Sequence, residues 1–347
     1  MKGIKILFLS HRFYPDIGGI EVNSEVLALE FAKAGHQVKL ATWTVDQGKK
    51  SFVFEVIRNP SILDLLKLHF WADVVFENNP CLKLSWPAVI SSKPVILALR
   101  TWVARNDGSI GWQDKLKLVW AKRAKGLIAV SMAVKENSGL PAKVIGNPYR
   151  NQIFKNINRE RKQYSFVFLG RLVSDKGANF AIEAFAKIIE QYRPDESQQF
   201  KLTLIGDGPE NARLMKLTQT LAISDYVEFT GRLEGKELVD KLNEHKYLLV
   251  PSKTWEAFGN VVLEGMACGC LPIVSSTGGL PDAAGEAGVI FDVTKPDELT
   301  KVLLELLKNP IREAEIRRNS ILHLSNHTPE RIGNKYLEVI YSARRKT

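Results

Sequence analysis

No stretch of the 347-residue chain reaches the ~18 consecutive apolar residues that a membrane-spanning helix needs. The first apolar run, residues 4–9, is short and lacks a small-residue cleavage site after it, so a strand is expected there and not a signal peptide. Cysteine is scarce. Cys81, Cys268 and Cys270 are odd in number and lack zinc-ligand spacing, which argues against a disulfide framework and fits a reducing, cytoplasmic location. The full G-x-G-x-x-G dinucleotide fingerprint is missing, and so is a D-x-D metal site between a strand and a turn; no metal or other cofactor is expected. Internal repeats, low-complexity tracts and recognised nucleic-acid modules are absent as well, and a nucleic-acid partner is not expected.

What is present is the composition of an ordinary globular protein, 45% hydrophobic and 25% charged, long enough for two cores by the usual prior of about 100–200 residues per domain. The formal charge of +10 suits an anionic partner such as a phosphorylated substrate or a membrane surface, or a plain solvated basic surface. Strand and helix patterns alternate. Strands are expected at 4–10, 37–42, 73–76, 94–99 and 126–130, with helices at 20–34, 61–70, 82–91, 112–124 and 131–138. The polar, basic stretch 146–162 has no clear period and marks a boundary, giving domains 1–150 and 151–327. After it the alternation resumes, with strands at 164–169, 200–205, 226–229, 246–250 and 271–274. The fold class is therefore α/β, with parallel sheets wound by helices on both faces.

Three local patterns point to chemistry. In the run from Glu256 to Pro272, two carboxylates, Glu256 and Glu264, stand eight positions apart around Phe258-Gly259-Asn260, and the small residues Gly265, Ala267 and Gly269 follow. Apolar Val261, Val262, Leu263 and Met266 suggest a helix from about Phe258, whose N-terminus offers amides and a positive dipole end to an anion. A solvated helix face also supplies such Glu pairs. Arg171 and Lys176 follow the strand 164–169, where a guanidinium and an ammonium can clamp a diphosphate; the plain alternative is a surface ion pair with Asp175 or Glu183. Gly18 and Gly19 precede the first helix, in a tight turn that also lets backbone approach a ligand.

These runs, "PDIGG" at 15–19, "GRLVSDKG" at 170–177, "IGDGPE" at 205–210 and the Glu pair, resemble in order and spacing the E-x7-E signature of retaining glycosyltransferases of the GT-B fold. That large group 1 (GT4-type) family includes sucrose synthases and many lipopolysaccharide and exopolysaccharide transferases. The resemblance implies two Rossmann-like domains facing a central cleft, with a last helix, 328–347, crossing back to the N-terminal domain. It assigns Gly18 and Gly19 to the donor diphosphate and Arg171, Lys176 and Glu256 to catalysis. Gly206 would make room for the nucleotide, and the backbone of Arg232 and Leu233 would border the base. Phe258, Gly259, Asn260 and Val261 would hold sugar or phosphate by their amides, and Glu264 would take the ribose hydroxyls. A UDP-sugar is the expected donor, with glucose as the default hexose.

Many such enzymes carry a His after the strand corresponding to 94–99; here Arg100 stands there, and Asp16 and Asp107 are further acceptor-side candidates. His11 and His36 read as structural. The helix near 112–125 sets Trp112, Leu116, Val119 and Trp120 on one side among five basic residues, as a core-facing helix or one resting on an anionic membrane does. The latter would place the protein peripherally on the inner face of the plasma membrane with a lipid-linked glycan as acceptor. Two alternatives remain: a sugar-nucleotide-binding protein without transfer activity, or a sugar-nucleotide epimerase on the same fold.

Overall fold

A computed structural model describes residues 3–16, 18–102, 111–159, 161, 164–192, 200–295 and 297–345. The chain divides into two compact units, Met1–Pro148 joined by His327–Thr347, and Tyr149–Asn326.

The first unit is built on a seven-stranded parallel sheet. In chain order its elements are β1 (Lys5–Leu9), α1 (Gly19–Lys33), β2 (Gln37–Thr42), β3 (Glu55–Arg58), α2 (Ile62–Trp71), β4 (Val74–Asn78), α3 (Leu82–Ser85), α4 (Ala88–Ser91), β5 (Val95–Leu99), α5 (Trp112–Arg123), β6 (Gly126–Ala129), α6 (Met132–Ser138) and β7 (Lys143–Val144). The strand order is β3-β2-β1-β4-β5-β6-β7. β1 shows why residues 6–9 are all apolar: Ile6 and Phe8 point into one core, Leu7 and Leu9 into the other. A single helix over 82–91 is not formed, because Pro87 lacks an amide hydrogen and crowds the preceding turn; α3 ends before it and α4 starts after it.

The second unit holds a six-stranded parallel sheet in the order β10-β9-β8-β11-β12-β13. Its elements are β8 (Tyr164–Leu169), α7 (Ala178–Tyr192), β9 (Phe200–Ile205), α8 (Asn211–Thr220), β10 (Val227–Gly231), α9 (Gly235–Asn243), β11 (Tyr247–Val250), α10 (Asn260–Ala267), β12 (Leu271–Ser275), α11 (Leu280–Ala284), β13 (Val289–Phe291), α12 (Glu298–Lys308) and α13 (Pro310–Asn326). Phe166, Phe168, Leu202, Leu204, Tyr247, Leu249 and Ile273 meet Ile182, Phe185 and Ile188 of α7 and Leu299, Leu303 and Leu306 of α12 in one core.

The last helix, α14 (Pro329–Arg345), belongs to the first unit. Ile332, Tyr336, Leu337, Ile340 and Ala343 recur at helical spacing and are buried in the core that contains Phe8, Phe31 and Phe76. Each such large apolar side chain contributes about 1.5–3 kcal/mol on burial, so this helix is an integral part of the unit. His36 serves the same packing: Nδ1 accepts from the Ile4 amide at 3.2 Å and Nε2 lies 2.7 Å from the Tyr341 hydroxyl.

Candidate functional site

All six strands of the second unit are parallel, so the loops that leave their carboxyl ends share one edge. From β8 the chain order runs outward through β9 and β10 on one side, and from β11 through β12 and β13 on the other. Such a switch point opens a crevice between the two loops that flank it. Arg171 lies on one of them, just past β8, and Lys176 ends a short 3₁₀ turn, Ser174–Lys176, on the same loop. Glu256 lies on the other, after β11.

The Lys176 ammonium pairs with Glu256 Oε1, and Ser252 Oγ donates to the same oxygen at 3.1 Å. The surface pairing with Asp175 or Glu183 is thus not made. Asp175 Oδ2 instead accepts from Thr254 Oγ1 at 3.3 Å, and Glu183 Oε1 from Asn179 Nδ2 at 3.3 Å. Arg171 is exposed and makes no ion pair among the described residues. A free guanidinium and a paired ammonium therefore stand at one strand end.

Glu256 is braced from β12. Ser275 Oγ and Thr277 Oγ1 donate to the Ser252 carbonyl at 2.7 and 3.0 Å, and the Gly279 amide donates to the Glu256 carbonyl at 2.7 Å. α10 begins at Asn260, two residues later than the apolar pattern suggested. The reason is Gly259, whose φ of 97° cannot continue a helix and whose missing Cβ leaves room for Leu280. No side chain caps this helix end. Phe258 is 2% exposed, so its ring belongs to the core and only its backbone is left for a ligand. Val261 is half-buried in the first turn.

Farther along α10, Gly265 lies against the Leu248 side chain, where a Cβ would come within 2.6 Å of it, and this close approach sets the helix directly on β11. Its neighbour Glu264 has a side chain only 15% exposed. Burial raises its carboxyl above the usual range, against the Arg150 guanidinium, whose Nη2 lies 3.6 Å from Oε1.

At the β9 and β10 ends, Gly206 adopts φ 144° with its amide donating to the Gly231 carbonyl at 2.9 Å; a Cβ there would overlap the Gly170 carbonyl. Arg232 is exposed and turned toward Glu234, 2.5 Å away, and Leu233 is half-buried.

In the first unit, Gly18 is the extended N-cap of α1 and Gly19 its first residue. The Glu21 carboxylate lies against Gly18, at the helix end assigned to the diphosphate. Asp16 is exposed and accepts from Thr44 Oγ1 at 2.9 Å. Arg100 is only 4% exposed. Its Nε donates to Asn78 Oδ1 at 2.7 Å, its Nη1 donates to Asn147 Oδ1, and the guanidinium lies 5.3 Å from the Tyr336 ring centre. Nη2 has no partner. With the residue 4% exposed and Nη2 itself buried, the guanidinium presents almost no surface to an acceptor. Asp107 lies outside the described residues.

Several polar groups here carried no sequence signal. Glu77 on β4 is fully enclosed; burial pushes its carboxyl up to about 7 even though the Cys81 amide and Trp120 Nε1 donate to it. Burial likewise pushes the Cys81 thiol up to about 12, which makes it unreactive. Arg150, Ser252 and Thr277 were missed too. Arg150 fell in the polar stretch read as a linker, whereas the hydroxyl-and-glycine run at 275–279, directly after a strand, was a readable sign of a ligand-side loop.

Comparisons with known proteins agree with this architecture. The structure superimposes on that of Anabaena Alr3699/HepE in complex with UDP with a TM-score of 0.78 at 18% identity, covering 98% of this chain and 100% of that one. Further structures of that protein hold UDP and glucose, or UDP-glucose. A sucrose-phosphate synthase from Thermosynechococcus elongatus gives 0.77 at 18% identity over 99% and 100% of the two chains. These likenesses show the fold, two parallel-sheet Rossmann-like domains of the GT-B kind.

Among relatives by sequence, a GDP-mannose-dependent monoacylated alpha-(1-6)-phosphatidylinositol monomannoside mannosyltransferase from Corynebacterium glutamicum is 33% identical over 151 residues, 42% of this chain and 38% of that one. An uncharacterized glycosyltransferase of Methanocaldococcus jannaschii is 31% identical over 53% of this chain and 50% of its own. Both matches thus span half or less of the relative's length. D-inositol 3-phosphate glycosyltransferase 1 of Catenulispora acidiphila is 24% identical over 84% of this chain and 75% of its own. The family model described as "Glycosyl transferases group 1" matches residues 149–323, which is half of the chain and takes in Arg150, Arg171, Lys176 and both carboxylates of the Glu pair; the chain belongs to that family.

Proposed function

We propose that the protein is a retaining glycosyltransferase that moves a hexose, with glucose the first choice, from a UDP-sugar to a glycan or lipid-linked saccharide in polysaccharide or lipopolysaccharide synthesis. The observation that carries this reading is the juxtaposition of Arg171, Lys176 and Glu256 across the switch point of the second sheet. The UDP complexes of the Anabaena protein support the choice of nucleotide.

In this reading Arg171 and Lys176 carry the charge of the diphosphate, a task given elsewhere to a metal ion. Glu256 accepts from donor-sugar hydroxyls, α10 offers backbone amides at its N-terminus, and Glu264 takes the ribose diol. The acceptor hydroxyl attacks the anomeric carbon on the face the nucleotide leaves. The new C–O bond forms as the bond to the diphosphate breaks, and the hydroxyl proton passes to a phosphate oxygen. Negative charge grows on that phosphate, where the two cations are already placed.

Incubation with radiolabelled UDP-glucose and isolated membrane glycolipid tests this. Label is expected in the lipid fraction with the anomeric configuration retained. UDP-glucose bound without transfer to any saccharide would establish the binding-protein reading instead. Because the Corynebacterium relative is named for GDP-mannose, that donor belongs in the same panel, and faster transfer from it would move the assignment of base and sugar.

We also infer a membrane-facing side. On α5 only Ala121 is buried, and Trp120 turns inward to donate to Glu77 at 2.7 Å. Trp112, Leu116 and Val119, at 70%, 48% and 59% exposure, stay outside among Lys115, Lys122, Arg123 and Lys125. An apolar stripe flanked by cations complements an anionic lipid surface, which would bring the protein to a lipid-linked acceptor at the cytoplasmic face. In flotation assays the protein is expected to rise with vesicles of anionic phospholipid at low salt. The pair Trp112→Glu and Val119→Glu is expected to abolish this. Association that ignores both salt and these substitutions would count against the surface.

A further inference from the structure

Glu264 differs from the other enclosed carboxylate of its unit. Glu313 is pinned by three donors: Tyr247 Oη at 2.7 Å, Lys246 Nζ at 2.9 Å and Arg317 Nε at 2.7 Å. It holds α13 in place and has nothing left to offer. Glu264 has a single side-chain partner among the described residues, Arg150, at 3.6 Å. Most of its acceptor capacity is open.

Arg150 is built to stand there. The amides of Ile153 and Phe154 both donate to its carbonyl at 2.9 Å, which fixes the turn. Its guanidinium lies 5.2 Å from the ring centre of Phe154, itself 2% exposed, and its Nε is buried without a hydrogen-bond partner among the described residues. Leaving a buried N–H unpartnered is costly, because its desolvation is not offset by a hydrogen bond. A residue that served only local packing would not carry that cost to bring its charge to one carboxylate.

We propose that Arg150 is a positioning residue of the donor site: it holds Glu264 ionised and oriented, so that this carboxylate accepts both ribose hydroxyls of the nucleotide. The proposal rests on the donor-binding reading and adds to it the residue that sets the charge state of the ribose-binding group.

The charges around Glu264 leave Arg150 as the controlling group. β11 brings Tyr247 to α10, α13 brings Glu313 and Arg317, and α11 brings Asp282. Tyr247, Glu313 and Arg317 bind one another, and Arg161 donates to the Cys268 and Gly269 carbonyls at the helix end. Cys268, one turn on, also lies close enough for the Glu264 charge to act on it, and burial keeps its thiol protonated, at about 12.

The sign follows from burial. Burial raises the Glu264 carboxyl and Arg150 lowers it, so removing the guanidinium raises it further. The ionised form binds the diol, hence affinity is lost as pH falls through that value, and the loss begins at higher pH without Arg150.

Calorimetric titration of the full chain with UDP, from about pH 5.5 to about pH 9, tests this in the native protein and in Arg150→Gln and Arg150→Lys. Relative to native, Arg150→Gln is expected to bind about tenfold more weakly near pH 6, the equivalent of one pKa unit, and to approach native affinity at the alkaline end. Arg150→Lys is expected to stay near native throughout. Protonation of UDP itself is common to all three and cancels in the ratio. With 2′,3′-dideoxyuridine diphosphate the difference between native and Arg150→Gln is expected to vanish.

A loss in Arg150→Gln that is equal at every pH, or no loss, overturns the proposal. In the ligand-free chain, carbon NMR of the labelled Glu264 carboxyl is expected to show its titration displaced upward in Arg150→Gln; an unmoved titration overturns the proposal even if UDP binds normally. If native protein fails to bind UDP, the donor reading itself falls and the proposal with it, whatever the carboxyl does.

Discussion

Arg171→Ala is expected to lower turnover by about 10²–10³, the cost of removing one preorganised group that meets charge developing in the transition state, about 2.7–4 kcal/mol. The side chain is exposed, follows the carboxyl end of β8 and makes no ion pair among the described residues. Its removal therefore breaks no structural contact, and thermal unfolding is expected to match native within the ±0.5 kcal/mol typical of surface substitutions. Turnover should fall more than donor affinity, because the interaction strengthens as the bond to the diphosphate breaks. Steady-state kinetics with an unfolding scan on the same preparation separates these effects. Near-native turnover in Arg171→Ala would remove the residue from the mechanism.

Lys176→Ala is expected to lower turnover by a similar 10²–10³ and, unlike Arg171→Ala, to weaken the donor markedly in the ground state. The reason is Glu256, which lies 80 residues away in the chain and is the partner of the Lys176 ammonium in the unliganded protein. With the ammonium gone, a carboxylate that retains only the Ser252 hydroxyl would face an incoming diphosphate. Two like charges so placed repel, and the loss exceeds that of the cation alone. Adding Glu256→Gln removes the repulsion. The double variant is expected to recover much of the donor KM of Lys176→Ala while its turnover stays low. Groups in contact are not additive, and the cycle of two singles and one double measures the coupling directly. Strict additivity in KM would mean that the pair does not act as a unit on the donor.

The central strands were legible because each is covered on both faces and so carries an apolar run without alternation: residues 6–9 in β1, and 166–169 in β8. Several of the elements that escaped sit at edges or on the surface. β3 and β7 have four and two residues and carry exposed or half-buried side chains, too short for a period to register. α13 buries only Glu313 and has no apolar stripe to announce it.

For the candidate site, position along the chain was readable and partnership was not. The Glu pair, the basic pair and Gly259 could be placed relative to strand ends. That Lys176 meets Glu256, and that Arg150 meets Glu264, depends on which strands lie side by side, and local sequence carries no record of it. Arg100 shows the limit from the other side. It occupies a strand end where a functional side chain was expected, yet Asn78, Asn147 and Tyr336 enclose it.

In the proposed mechanism the carboxyl edge of the second sheet grips an activated sugar by its diphosphate with Arg171 and Lys176. A crystal structure of the protein grown with UDP tests it most directly. Both phosphates are expected within hydrogen-bond reach of the two cations, with Lys176 drawn off Glu256 and the ribose hydroxyls on Glu264. Phosphates seated on any other element, with the Lys176–Glu256 pair intact, would contradict it.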